Sequence, residues 1–138
     1  VLRQLARETG AAMLLITHDL KVAASLCDQI AVMYAGEILE QGAAEQVLKD
    51  PVHPYTKGLL ASLPEHGLHP IPGYSPSLLD VPAGCKFHQR CSLARDLCAE
   101  KCPPLQIING VQVRCFFSDQ SGEPQQELHN RDLQEAAV

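Results

Sequence analysis

Apolar and polar positions alternate with two different periods along the first half of this chain. In VLRQLARETG, apolar side chains at positions 1, 2, 5 and 6 share one helical face, and Gly10 supplies a helix stop. AAMLLITH is short and apolar at successive positions, which predicts a strand buried on both faces. DLKVAASLC returns to helical spacing, with Leu20, Val22, Ala23 and Leu26 on one side and Asp19 placed to cap it. QIAVMYAGEILEQG predicts two strands turning at AGE, with Gly36 and Gly42 as turn positions needing positive φ. AAEQVLKD predicts a short helix halted by Pro51, and PYTKGLLASL another, with Pro54 at its start and Pro64 beyond its end.

From Pro64 the pattern breaks. PEHGLHPIPGYSPSLLDVPAG is dense in proline and can form only loop or edge strand. The expected organisation is therefore an N-terminal α/β part over 1–63, a connector over 64–83, a cysteine-rich unit over 84–117 and a polar tail over 118–138. No internal repeat is visible.

Composition narrows the class. The chain has 138 residues, 46% of them hydrophobic and 20% charged, which is a globular balance. Its net charge of −5 argues against a nucleic-acid partner, which would call for a basic stripe. AAMLLI is too short to cross a bilayer, and VLRQLARETG has no signal-peptide pattern. The chain does not start with Met, which suggests a piece of a longer protein.

Five of the six cysteines lie between residues 85 and 115, spaced C-x5-C-x6-C-x3-C-x12-C. A secreted disulfide framework, a metal or iron–sulfur site and buried small hydrophobes are the three readings of such a set. Cys27, alone in an apolar stretch, fits the last. For the cluster, metal binding is preferred. The C-x2-C knuckle of zinc fingers is absent, which weighs against a simple zinc ribbon. The segment also has few large apolar side chains, and units so poor in core tend to need a staple. Lys86, Arg90, Lys101 and Arg114 could offset cluster charge or simply be solvated. His88 reads as a surface residue.

MLLITHDLKVAASLCDQIAVMYAGEILEQG resembles the end of an ABC-transporter nucleotide-binding domain, where a strand, THD, a helix and an AVMxxGxIxExG hairpin follow in that order. DPVHPYTKGLLASLP, IPGYSPSLLDVPAGCKFHQRC, PPL and Val113–Cys115 are similar to segments of the peptide and nickel importer ATPases, so the resemblance covers roughly residues 1–117. It implies an α/β fold: the C-terminal part of an ABC-type P-loop ATPase domain, followed by a small irregular cysteine-rich domain. It makes His18 the switch histidine that touches the γ-phosphate of ATP, a role suited to an imidazole at the mouth of an α/β sheet. Asp19 would support that loop, or merely cap the helix. A [4Fe–4S] cluster is implied on Cys85, Cys91, Cys98 and Cys115, with zinc as the alternative metal. Cys102 stands where the family has another residue, and is the alternative to Cys98.

The G-x-x-x-x-G-K-[ST] phosphate loop, the Walker B aspartate with its glutamate, and LSGG do not occur in the chain. ATP with Mg, and turnover, therefore belong to the expected parent protein and not to these residues alone. The implied partners are a second ATPase subunit, membrane permease subunits and, indirectly, a substrate-binding protein, at the cytoplasmic face of the membrane. The contrasting expectation is a non-catalytic interaction module with a metal-stapled end.

Overall fold

Helix α1, Leu2–Thr9, ends at Gly10 with φ +67, a left-handed residue that glycine adopts without strain. The computed structural model of the chain describes residues 2–77 and 79–118; the expected polar tail beyond residue 118 lies outside them. Helix α2, Leu20–Leu26, is capped by Asp19, whose carboxylate accepts from Lys21 N and Val22 N.

The expected hairpin is present as β1, Gln29–Tyr34, and β2, Glu37–Ala43. Tyr34 pairs with Glu37 across a two-residue turn in which Ala35 and Gly36 have φ +46 and +81, the geometry that matches strand twist. Ile30, Val32 and Tyr34 are buried while the alternate residues of β1 face outward. Val32 opposes Glu40 and Met33 opposes Ile38, so Leu39 has no partner and forms a bulge. The bulge turns Leu39 and Glu40, consecutive in sequence, both inward. Gly42 departs from expectation. It lies within β2 and outside the positive-φ residues, and a side chain there would meet Val111 Cγ1 at 3.1 Å. Its glycine serves close packing instead of a turn.

Helices α3, Ala44–Lys49, and α4, Pro54–Ala61, follow as the pattern predicts. Beyond a 3-10 turn at Pro64–His66, the connector runs without strand or helix through its described residues. The cysteine-rich segment contributes α5, Asp96–Glu100, and a second hairpin, β3, Gln106–Ile108, and β4, Val111–Val113. Asn109 and Gly110, at φ +50 and +79, make the same kind of turn as Ala35–Gly36.

Two expectations are corrected here. First, the cysteine-rich segment is not a separate small domain. All four strands form one antiparallel sheet in the order β1-β2-β4-β3, with Glu40 paired to Val113 and Gln41 to Gln112. One core cluster joins Ile30, Val32, Val47 and Val52 to Val111, Val113 and Cys115. The other joins Tyr34 and Leu39 to Cys85, Phe87, Cys98, Phe116 and Phe117. The segment has too little apolar surface of its own and completes it against the first hairpin. Second, residues 11–17 form no strand, and Leu14 and Ile16 stand 89% and 90% exposed. A strand needs a neighbour to satisfy its backbone groups, and none of the four described strands lies alongside this one.

Candidate functional site

Cys85, Cys98 and Cys115 are buried, Cys91 is half-buried, and none is in a disulfide. Local geometry converges on Cys85. Its N–H donates to Cys98 O at 2.8 Å, and its own carbonyl is 2.7 Å from His88 Nδ1. A 3-10 turn over His88–Arg90 then delivers Cys91, and α5 carries Cys98. Cys115 arrives from the end of β4, where Phe117 N donates to its Sγ at 3.4 Å. Burial raises the thiol pKa of Cys85 to about 11 and that of Cys115 to about 12. Burial also raises that of Cys91. A smaller part of each rise is mutual: Cys85 senses Cys98, Cys91 and Cys102, and Cys115 senses Cys91, Cys85 and Cys98. The four sulfurs expected as ligands thus share one region. Even so, no group of three or more His, Cys, Asp or Glu side chains among the described residues is arranged to hold a metal ion. The buried cysteines pack within the two core clusters as small hydrophobes do.

Cys102 differs from the other four. It lies beyond the end of α5, is exposed, and stands 3.9 Å from the Glu37 carboxylate. Lys86 also reaches Glu37, at 3.9 Å. Cys27 is partly buried against the first core cluster, as a small hydrophobe would be.

His18 is exposed at the end of the extended segment. It lines an open cleft of about 1210 Å³ between that segment, α1, α2, β1 and α4. Asp19 is occupied as the α2 cap.

Sequence reasoning missed a buried polar network beside the thiols. Glu40, fully buried, accepts from Val52 N at 2.7 Å and His53 N at 3.1 Å. His53 in turn caps α4, its Nδ1 accepting from Tyr55 N at 2.9 Å. The neutral ring therefore carries its proton on Nε2, and no acceptor in hydrogen-bonding geometry meets it. Burial pulls the His53 pKa down to about 4, against an opposing pull from the nearby Arg114 backbone. Arg114 N donates to Leu39 O at 2.8 Å and its guanidinium to Pro103 O at 3.1 Å, which fastens the bulge. Arg90 ties the connector down. Its Nε donates to Pro72 O at 2.9 Å, its Nη2 to Ile71 O at 3.0 Å, and its guanidinium lies 5.9 Å from the Tyr34 ring centre. Tyr34, Tyr55 and Phe87 pack together beneath it. The sequence signal for the Glu40 network was no more than an acidic residue inside an expected strand.

A small mixed α/β unit with an open antiparallel sheet, a thiol-bearing end and an exposed THD histidine is consistent with the C-terminal end of an ABC-type ATP-binding subunit. Residues 39–98 match the family model described as the C-terminal region of the oligopeptide/dipeptide transporter. It is 44% identical over 124 residues to the oligopeptide transport ATP-binding protein OppD of Haemophilus influenzae, covering 86% of this chain and 38% of that protein. It is 42% identical over 122 residues to OppD of Escherichia coli, covering 85% and 36%. The dipeptide transport ATP-binding protein DppD of Caldanaerobacter subterraneus is 37% identical over 130 residues, covering 90% and 40%. The chain thus spans under half the length of these relatives. Among the described residues no helix is long and apolar enough to cross a membrane.

Proposed function

We propose that the chain is the C-terminal part of the ATP-hydrolysing subunit of an ABC importer for peptides. What carries this reading is relatedness: proteins named for oligopeptide or dipeptide transport match most of the chain at 37–44% identity. Peptides are favoured over the nickel cargo also expected from sequence, because those relatives are named for peptides. In this reading His18 is the switch histidine, and its exposure on the open cleft leaves the imidazole free to meet a γ-phosphate. The subunit would pair with a second ATPase subunit, act on membrane permeases served by a substrate-binding protein, and sit at the cytoplasmic face. ATP and Mg would bind mainly through residues outside this chain, so the chain alone is expected to be inactive. The test is ATP hydrolysis by a complete subunit ending in this sequence. His18→Ala should lower turnover about 100-fold or more, the scale of losing one transition-state donor, while leaving nucleotide binding intact. Full activity in the variant, or turnover by the 138-residue chain by itself, refutes the reading.

The same reading gives Cys85, Cys91, Cys98 and Cys115 to a [4Fe–4S] cluster with a structural role. Four free thiols, three of them buried, are the donor set such a cluster takes. A single zinc ion, with bonds of about 2.3 Å, needs its sulfurs roughly 3.8 Å apart. A cluster seats its thiolates around its own iron and sulfide, which suits thiols that are near one another without converging on a point. Burial favours Cys98 over the exposed Cys102 as the ligand. When bound, the cluster would supply covalent cross-links among β4, α5 and the residue 85–91 loop. Anaerobic reconstitution should yield a broad band near 400 nm and about four irons with matching sulfide. Serine at any of the four positions should abolish it, and Cys102→Ser should not. One zinc in a colourless protein would replace the metal. Folded, metal-free protein would end the cluster reading.

A further inference from the structure

The thiol pair at the centre of this region is set by a residue with no side chain. Gly84 is buried against the backbone of α5. A Cβ placed on it would fall on Cys98 O, and would lie 2.5 Å from Ala99 O and 2.6 Å from Ala99 C. These are main-chain atoms of a helix, not the swinging end of a side chain, so they cannot step aside. The φ of Gly84 lies outside the left-handed region. The glycine is therefore required for space alone. Its neighbour Cys85 uses the approach at once, donating its N–H to Cys98 O at 2.8 Å. That single contact places the carriers of two thiols, distant in sequence, side by side. We propose that Gly84 is the positioning residue of the thiol site, holding Cys85 against Cys98 so that both can ligate the same iron–sulfur cluster.

This rests on the cluster reading above and adds to it the residue that aligns the ligands. Nothing from α5 enters the core around Val47, Val111 and Val113, but Cys85 and Cys98 share the other core with Tyr34 and Leu39, so crowding at residue 84 should act first on the thiol site and reach the sheet only through that second core.

Gly84→Ala in the 138-residue chain is the variant, and Gly58→Ala is its matched control. A Cβ at Gly58 would be crowded as well, at 2.8 and 2.9 Å, but by the Ile71 side chain in the connector. Both proteins are reconstituted anaerobically with ferrous iron and sulfide, then assayed for iron, sulfide and far-ultraviolet circular dichroism. The metal-free proteins are treated with dibromobimane, which fluoresces when it bridges two thiols, and the Cys85–Cys98 bridge is quantified by mass spectrometry. Gly84→Ala should keep the dichroism spectrum, hold at least fivefold less iron and sulfide than the unsubstituted chain, and lose most of the bridge. Gly58→Ala should keep all three properties. The proposal is overturned if Gly84→Ala takes up iron and bridges normally. It is equally overturned if both alanine variants lose cluster and fold together. Should the unsubstituted chain take up no cluster, the reading beneath fails and the ligand role of Gly84 fails with it; bridging then decides only whether Gly84 sets Cys85 beside Cys98, an unchanged yield rejecting that and a lost bridge upholding it.

Discussion

His53 gives the sharpest test of the buried network, because its two roles both require the neutral ring. Its Nδ1 must accept from Tyr55 N, and its burial penalises charge. An ordinary histidine titrates near 6.5, and here the value falls to about 4. The folded state thus resists a proton that the unfolded chain accepts. By linkage, the contribution is complete above about pH 6.5 and is lost progressively as the pH falls towards 4. A gap of about 2.5 units at 1.36 kcal/mol each corresponds to roughly 3 kcal/mol. His53→Asn isolates the effect, since asparagine is a good N-cap with no proton to gain. Urea unfolding under reducing conditions at pH 7.5, 6, 5 and 4 measures both proteins. The variant will be weaker at pH 7.5, having lost the ring packed 5.9 Å from Phe87. Its deficit should then shrink by about 3 kcal/mol on going to pH 4. A deficit constant across the range would refute the reasoning, because it would mean that His53 titrates alike in the folded and unfolded states.

Three further outcomes follow from neighbouring features. Glu40→Ala leaves the buried Val52 and His53 N–H groups without an acceptor and should cost about 2–5 kcal/mol in urea unfolding, with Glu40→Gln costing less because it keeps one acceptor. Ala35→Asn should raise stability by up to about 1 kcal/mol, since Ala35 sits at φ +46, where asparagine is better tolerated. Arg90→Ala should expose the connector to rapid proteolysis near Tyr74, and Arg90→Lys should not restore protection, because an ammonium cannot span the Ile71 and Pro72 carbonyls as a guanidinium fork does.

What was legible in the sequence was whatever local rules decide. Asp19, Pro54 and Gly36 fixed helix starts and a turn, and the period of the apolar residues separated α2, α3 and α4 from β1 and β2. The second hairpin was also legible, because Asn109–Gly110 between Ile108 and Val111 is a strong turn signal. Residues 11–17 misled: their composition suits an interior strand, but a strand is a property of neighbours as well as of sequence. Glu40 could not have been assigned its role in advance. Its partners are backbone N–H groups 12 and 13 residues away, brought near by the bulge at Leu39.

The sharing of one sheet changes what the thiol region can do. Had residues 84–117 been a separate unit, a cluster there would stabilise only itself. Instead Cys115 lies in the core with Val32 and Val47, and Cys85 and Cys98 lie in the core with Tyr34 and Leu39. Arg114, next to Cys115, holds the carbonyl of the bulged Leu39, and that bulge aims Glu40 at the start of the HPYT helix. A strain applied at the sulfurs would therefore be felt at β2 and α4 within one layer of packed side chains. By the same argument, binding a cluster that orders the four cysteines should raise the unfolding midpoint of the whole sheet in a single transition. A separate early transition for residues 84–117 would mean that the two cores are energetically independent.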